Sequence, residues 1–218
     1  MYQPPIYRED RTEVQHALIR ANPLALLITA GPAGLMANAI PFLVYPEGPP
    51  HGTLRAHVAR GNPQWRELAA VGECLVVFEG PEKYITPSWY ATKRETGKVV
   101  PTWNYVTVHA WGRPQVFSDA AWLRRQIDDL TLLQEGGRPD PWKVSDAPDD
   151  FVAAQMKGII GVEIPISRIE GKWKVSQNRS EIDRAGVVVG LRTEGDAVMA
   201  DLVAERGAAR PPADGGLT

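Results

Sequence analysis

The sequence predicts a mainly β (α+β) fold, a small closed barrel with short helices packed around it. Short apolar runs alternate with many of the chain's 19 prolines and 20 glycines, a pattern typical of short strands and shaped loops. Residues 102–115 repeat with the period of two of a β-strand. The predicted strands follow one another without strand–helix–strand alternation, which favours antiparallel hairpins and meanders, and hence a barrel.

The first half of the chain is predicted to hold most of the strands. Residues 1–8 form an extended arm, because a helix cannot continue through Pro4 and Pro5. Asn62 is the N-cap of a short helix that has Pro63 at its first position. The strands are predicted over 24–29, 35–45, 52–57, 73–79 and, after a break at Gly80-Pro81, 84–86, and the helices over 9–20 and 63–70.

The second half adds helices to the sheet. The alternating segment 102–115 is followed by a helix from 118 to about 134, a helix over 149–157, a strand over 158–164, and a connector over 166–174 that enters a last strand region. Residues 207–218 are rich in Gly, Ala and Pro and are expected to form a disordered tail. We therefore expect one domain over residues 1–206, with a helical insertion at about 118–157.

Composition excludes several classes of protein. The chain has 218 residues, a formal net charge of −2 and 44% apolar residues. It therefore lacks the broad basic field that sequence-independent nucleic-acid binding requires. The single cysteine, Cys74, lies in an apolar run and is predicted to be a buried small hydrophobe. No apolar run is long enough for a membrane helix and no signal-peptide pattern is present, so we expect a cytoplasmic protein without a membrane partner.

Three segments have the chemistry of a ligand site. The first contains His57, Arg60 and Asn62, where a strand ends, an arginine follows in the turn and a capped helix begins. Free N–H groups at the start of a helix, beside an arginine, favour an anion. A surface turn with a solvated arginine is an equally good interpretation of this segment taken by itself.

The second segment, residues 80–105, interleaves aromatic, hydroxyl, amide and lysine side chains within a proline-constrained stretch. Tyr90, Trp103, Asn104 and Tyr105 provide stacking faces and hydrogen bonds suited to a flat heteroaromatic ligand. The same residues suit an interface or core loop. They also suit a surface for single-stranded nucleic acid, which the acidic net charge disfavours.

The third segment, residues 171–179, combines three cations with a tryptophan, a serine and two amides. Its candidate residues are Lys174, Ser176, Gln177 and Asn178. Recognition of phosphate or of a polar ring edge is one interpretation, and composition alone favours the other, a solvated turn.

Several catalytic and metal sites are not indicated. The four histidines, His16, His51, His57 and His109, show no metal-ligand spacing with each other or with Cys74. The sequence has no nucleophile elbow, phosphate loop or dinucleotide-binding glycine motif.

At these segments the sequence resembles the PaiB family, described as FMN-binding negative transcriptional regulators. The resemblance extends from Met1 to about Leu191. It is carried by Met1-Tyr2-x-Pro4-Pro5, His57-Val-Ala-Arg60-x-Asn62-Pro63-x-Trp65, Gly80-Pro81-x-x-Tyr84-Ile85-x-Pro87-x-Trp89-Tyr90, Val100-Pro101-Thr102-Trp103-Asn104-Tyr105-x-x-Val108-His109 and Lys172-x-Lys174-x-Ser176-Gln177-Asn178-Arg179.

The resemblance implies an FMN-binding split β-barrel of antiparallel Greek-key type, related to pyridoxamine phosphate oxidases. It also implies a homodimer with FMN as cofactor, and Arg60 matches the position of the basic residue that holds the FMN phosphate. DNA is implied as a partner by resemblance alone, because the sequence contains no helix-turn-helix and no basic recognition helix. The alternative to a flavin-binding regulator is an FMN-dependent oxidoreductase or haem-handling enzyme.

We expect the second and third segments to line one flavin site. Amides donate and accept hydrogen bonds together, which suits the polar edge of a flavin ring, and aromatic rings suit its face. The predicted cofactor-binding residues are His57, Arg60, Asn62, Tyr90, Trp103, Asn104, Tyr105, Lys174, Ser176, Gln177 and Asn178.

Overall fold

A computed structural model describes residues 1–32, 34–48 and 50–208. The strands are β1 (Arg8–Glu9), β2 (Leu24–Gly31), β3 (Gly34–Pro41), β4 (Leu43–Tyr45), β5 (Thr53–Ala59), β6 (Cys74–Ile85), β7 (Thr102–Gly112), β8 (Gln115–Phe117) and β9 (Ile159–Lys174). The helices are α1 (Thr12–Ala21), α2 (Gln64–Ala70), α3 (Ala91–Glu95), α4 (Ala120–Glu135), α5 (Asp149–Met156), α6 (Glu181–Thr193) and α7 (Ala197–Ala208). Short 3-10 turns lie at Pro5–Tyr7, Pro87–Trp89 and Val144–Asp146.

The strands form one sheet in the order β3-β2-β6-β7-β9-β5-β4, and β1 and β8 each pair with β9. The β2–β3, β2–β6, β4–β5 and β5–β9 ladders are antiparallel. The prediction of a mainly antiparallel β protein with several helices is therefore confirmed.

The chain divides into two compact units. Unit 1 contains residues 1–10, 80–107 and the chain from 171 onward, and unit 2 contains residues 11–79 and 108–170. The single domain expected over 1–206 stays a prediction.

In unit 2, a buried glutamine fixes the short helix α2 against the β2–β3 hairpin. Gln64 is fully buried. Its Nε2 donates to the Leu27 carbonyl over 2.8 Å, and its Oε1 accepts from Asn38 Nδ2 over 2.9 Å. A buried amide is stable only when its donors and acceptors are paired, so this network specifies where α2 packs.

The opposite face of the same hairpin is apolar and exposed. Residues paired across an antiparallel ladder share a face, and here the pairs are Leu24 with Pro41, Leu26 with Ala39, Ile28 with Ala37 and Ala30 with Leu35. We call these eight residues the hairpin face. Leu24 is 63% exposed and Leu35 is 82% exposed, so large apolar side chains here meet solvent in the single chain.

In unit 1, α6 packs closely against the turn at Pro87–Trp89. A Cβ atom at Gly186 would lie 2.0 Å from the Trp89 carbonyl oxygen, and one at Gly190 would lie 2.3 Å from the Trp89 ring. The two glycines, one helical turn apart, let this turn approach the helix backbone.

Cys74 is buried in unit 2, as predicted, with 3% of its surface exposed. Its Sγ lies 3.5 Å from the Gly112 carbonyl oxygen. Burial, with a smaller effect of the Glu73 charge, raises the pKa of the thiol to about 12.

The structure corrects two predicted strand boundaries. β6 continues through Gly80-Pro81, where a break was predicted. The β2–β6 ladder ends at Val77, so Pro81 lies beyond the residues of β6 that β2 pairs with, and its missing N–H costs no bond there. The predicted connector over 166–174 is part of the 16-residue strand β9.

The region after Lys174 was also predicted incorrectly. The structure has a turn and the helices α6 and α7 there instead of a last strand region. Gly207 and Ala208 end α7, and residues 209–218 of the predicted tail lie outside the described residues. At the other end, α1 begins at Thr12 rather than Glu9, because Glu9 pairs with Gly171 in the β1–β9 ladder.

None of the helices formed by the described residues has the length and apolarity needed to cross a membrane.

Candidate functional site

Unit 1 gathers three cations among aromatic rings. Lys172 and Lys174 lie two residues apart on β9, so their side chains share one face of the strand. The Tyr105 ring centroid lies 5.2 Å from Lys172 Nζ and 5.7 Å from Lys174 Nζ. Arg179, in the turn after β9, lies over the Tyr90 ring at 4.7 Å from its centroid. We call Lys172, Lys174 and Arg179 the cation cluster.

The cation cluster has no carboxylate partner within the part of the chain that the structure describes. Lys172 is only 7% exposed, and its Nζ donates to the Tyr2 carbonyl over 3.0 Å. Burial, together with the charges of Lys172 and Arg179, lowers the pKa of Lys174. Like charges held together away from water are unfavourable unless an anion compensates them.

The nearby carboxylate of Asp183 is engaged elsewhere. It accepts from the Thr92 amide over 3.0 Å and from the Thr92 hydroxyl over 2.8 Å. Burial opposes ionisation of Asp183, but these hydrogen bonds, with help from Ser180 and Arg179, lower its pKa overall. It thus anchors α3 to α6 as a carboxylate and leaves the cation cluster without an ion pair.

Two buried polar atoms beside the cluster have no hydrogen-bond partner among the described residues: Tyr90 Oη and Arg179 Nε. Burial raises the pKa of Tyr90, although the Arg179 charge acts in the opposite direction. The guanidinium covers one face of the Tyr90 ring and the residue is 1% exposed, so this arrangement does not present the stacking face that the sequence suggested.

Asn104 and Ser176 form a buried pair. Ser176 Oγ accepts from Asn104 Nδ2 over 3.0 Å and donates to Asn104 Oδ1 over 3.1 Å. Ser176 has a φ of 66°, the left-handed region, and no other non-glycine residue in the described ranges has a positive φ. Such a conformation is strained in a non-glycine residue and persists where surrounding contacts impose it.

Gln177 and Asn178, the two amide side chains that follow Ser176, differ in their contacts. Gln177 Oε1 accepts from the Val175 amide over 2.7 Å, and its Nε2 donates to the Trp173 carbonyl. The Gln177 side chain therefore stabilises the turn, whereas the sequence suggested that it pairs with a ring edge. Asn178 is exposed.

Trp103 carries an exposed ring next to the cluster. It is 52% exposed and meets Tyr84 edge-on, with ring centroids 5.9 Å apart. Lys174 Nζ donates to the Thr102 hydroxyl over 2.6 Å and also to the Trp103 carbonyl. These bonds hold Lys174 beside an aromatic ring that remains open to a ligand.

His57, Arg60 and Asn62 lie in unit 2. Arg60 Nε donates to the Lys157 carbonyl over 2.9 Å, and Nη2 lies 3.4 Å from the Ile159 carbonyl. Asn62 Oδ1 accepts from the Gln64 amide over 3.0 Å, as a capping side chain does. These bonds commit the Asn62 oxygen and two of the three Arg60 guanidinium nitrogens to the structure of the turn.

His57 lies on the side of β5 that faces α4. Its Nδ1 lies 2.7 Å from Oε1 of Gln126, a residue that is 2% exposed. Gln126 is not predictable as a functional residue, because a glutamine in the middle of a predicted helix is usually exposed to solvent. Lys172 and Arg179 also belong to the third segment, and their contacts with tyrosine rings distinguish them from the other polar residues there.

Comparison with known proteins assigns the family. The family model described as "Putative FMN-binding domain" matches residues 1–168. The Bacillus subtilis protease synthase and sporulation protein PAI 2 is 30% identical to this chain, over 89% of this chain and 90% of its own length. The chain belongs to the PaiB family. The predicted cofactor, FMN, is thus the one that the family model of this PaiB protein describes.

A second sequence relative and a solved structure are also similar to this chain. An uncharacterized protein of Aspergillus fumigatus is 37% identical over 95% of this PaiB chain and 98% of its own length. A solved structure, the FAD and haem binding protein of Mycobacterium smegmatis, superposes with a TM-score of 0.57 at 17% identity, covering 77% of this chain and 73% of that one. The fold is therefore that of the flavin-binding split barrels, as the resemblance implied.

Proposed function

We propose that the cation cluster and Trp103 hold FMN in this PaiB protein, with the cations at the phosphate and the indole at the ring. The observation that carries the proposal is that Lys172, Lys174 and Arg179 lie together among buried polar groups and form no salt bridge within the described residues. A phosphate monoester supplies the missing negative charge and several acceptor oxygens. Tyr90 Oη and Arg179 Nε, both unpartnered, are donors that fit those oxygens.

A titration of the protein with FMN tests this site. Lys174→Met keeps the length of the side chain and removes its charge, and we expect the dissociation constant for FMN to rise about tenfold. This is the low end for a hydrogen bond to a charged group, because Lys174 is partly exposed. Lys98→Met, which removes an exposed lysine of the same unit, is the matched control. Equal affinities of the two variants would contradict the proposal.

Arg60, in unit 2, is an alternative to the cation cluster as the group that holds the FMN phosphate. Its Nη1 makes no hydrogen bond among the described residues, so it can donate to a phosphate oxygen without dismantling the turn. Arg60→Lys, which cannot reproduce the two carbonyl bonds and a phosphate bond together, is expected to weaken FMN binding. An unchanged dissociation constant would mean that Arg60 stabilises the turn and does not contact FMN.

We further propose that the chain acts as a homodimer and as a negative transcriptional regulator of the PaiB type. Support for the dimer comes from the hairpin face, because an exposed apolar sheet face of this kind marks an interaction surface. Support for the regulator comes from family membership and from the Bacillus subtilis relative, whose name refers to protease synthesis and sporulation.

Measurements on the FMN-loaded protein separate the regulator from an enzyme. Salt-sensitive binding to a defined DNA sequence, altered by FMN, is the result expected for the regulator. Sustained oxidation of NADH or NADPH with no DNA binding would instead favour the oxidoreductase or haem-handling alternative.

A further inference from the structure

A pocket lies in unit 2, and none of its lining residues belongs to the cation cluster. It has a volume of about 320 Å³ and is lined by residues of β5, α4, the turn at Val144–Asp146, α5 and β9. Pockets that hold small organic molecules start at about 300 Å³. This one therefore has room for a molecule of one or two rings.

The walls of this pocket are mostly apolar and carry no Asp, Glu, Lys or Arg. Ile127, Val144 and Val152 are among its lining side chains. Trp142 and Phe151 also line it and are 49% and 55% exposed. An uncharged apolar wall excludes a phosphate or carboxylate, which would lose its hydration without compensation. Exposed aromatic rings favour a planar aromatic occupant.

Three of the lining side chains are polar, those of His57, Thr131 and Gln155, and a buried residue orients the imidazole of His57. His57 lines the pocket, and its Nδ1 lies 2.7 Å from Gln126 Oε1. An amide oxygen only accepts, so Nδ1 donates to it, and in the tautomer with the proton on Nδ1 the lone pair is on Nε2. Nε2 has no hydrogen-bond partner among the described residues. Gln126 is 2% exposed and its Nε2 has no hydrogen-bond partner among the described residues. With its amide in this orientation, His57 Nε2 is left as an acceptor for a ligand.

We propose that this pocket binds a neutral aromatic molecule of one or two rings that carries a hydroxyl or N–H donor for His57 Nε2. The ring packs against the apolar wall and the donor points to the imidazole. The site differs in chemistry from the FMN site proposed above, because it contains no cation.

The probe is 2-naphthol, measured by isothermal titration calorimetry against the full chain saturated with FMN. We expect saturable binding with one molecule per chain. Naphthalene, which lacks the donor, should bind about three- to tenfold more weakly, the equivalent of one neutral hydrogen bond. The carboxylate of 2-naphthoate should bind more weakly still. Equal binding of naphthol and naphthalene would overturn the role of His57, and the absence of saturable naphthol binding would overturn the site.

Two tryptophan substitutions locate the probe. Ala147→Trp fills the pocket from a half-exposed position, and Ala153→Trp adds the same ring at an exposed position of α5 outside the pocket lining. We expect the first to weaken naphthol binding at least tenfold and the second to leave it unchanged. Equal affinities would overturn the assignment. Displacement of naphthol by FMN, in a titration of the FMN-free chain, would assign the pocket to the flavin and overturn the proposal as well.

Discussion

The turn after β9 depends on one hydroxyl group. Ser176→Ala leaves the 1% exposed Asn104 amide without its partner and keeps a side chain in a left-handed backbone. We expect the free energy of unfolding to fall by about 1–3 kcal/mol, the cost of an unsatisfied buried polar group. Urea denaturation measures it.

Ser176→Gly separates the two contributions. Glycine loses the same hydrogen bond but adopts a positive φ without strain, so the loss should be smaller than for alanine. A glycine variant less stable than the alanine variant would show that the backbone strain, not the hydroxyl, has been misjudged.

The lowered pKa of Lys174 predicts a dependence of stability on pH. Over the alkaline range just below the ordinary lysine value of about 10.4, the folded side chain releases its proton while the unfolded one retains it. The unfolded chain then binds more protons, so this group makes the folded state more stable as pH rises.

We therefore expect the unfolding free energy of the wild type minus that of Lys174→Met to increase with pH over that range. Saturating phosphate or FMN should flatten this increase, because an anion near the amine restores its charged form. A difference that stays flat without ligand would mean that burial and the neighbouring cations do not lower the pKa of Lys174 as the structure indicates.

At this scale the sequence predicts which residues are concentrated near a site, but not how each polar group is used. Trp103 and Lys174 stand out because aromatics and cations are rare together in a polar segment. Gln177 and Asn62 look identical to ligand-binding amides in the sequence, yet both bond to nearby backbone. Whether an amide side chain bonds to the local backbone or to a ligand depends on tertiary geometry, which cannot be predicted from residue type alone.

At the scale of elements, the contact between α6 and the turn at Pro87–Trp89 leaves no room for a side chain. Gly186→Ala improves helix propensity by about 1 kcal/mol, but its Cβ would overlap a backbone carbonyl that cannot rotate away. We expect a net loss of about 1–3 kcal/mol, the usual range for overpacking. Thermal unfolding checks it.

Val189→Ala on the same helix is the control, since Val189 is 65% exposed and should tolerate the change. A Gly186→Ala variant as stable as this control would mean that the turn shifts freely.

The same glycines explain why the sequence pattern does not predict the helix α6. Gly186, Gly190 and the three consecutive valines between them lower helix propensity over residues 181–193, so the segment lacks a clear helical signal. The helix forms because its small residues allow close packing, which local propensity does not register. β9 was cut short for a similar reason: Pro165 and Gly171 look like breaks in a strand, although the sheet accommodates both.

At the scale of the whole molecule, the hairpin face predicts the oligomeric state. A chain of 24.0 kDa should sediment with about twice that mass. Leu35→Asp places a charge at the most exposed apolar position of the face and should produce monomers at micromolar concentration, because a charge buried in an apolar interface has no partner.

Val189→Asp, an exposed position outside the hairpin face, should leave the mass unchanged. If Leu35→Asp forms dimers with the wild-type affinity, the dimer interface is not the hairpin face.

Fold class was predictable at this scale from strand spacing, and the split barrel was predictable from the family motifs. The division into two units was not. Residues 80–107 and 171–208 join residues 1–10 in unit 1 through pairings distant in sequence, and no local pattern announces such pairings.

The buried thiol of Cys74 has a practical consequence for spectroscopy. It is the only cysteine in the chain, and a raised pKa together with burial makes it inert to maleimides in the folded state. A cysteine introduced at exposed Arg113 is then the single position that takes a nitroxide label. In a dimer, every molecule carries two identical spins, so a pulsed electron resonance experiment yields one interchain distance without removal of a native residue.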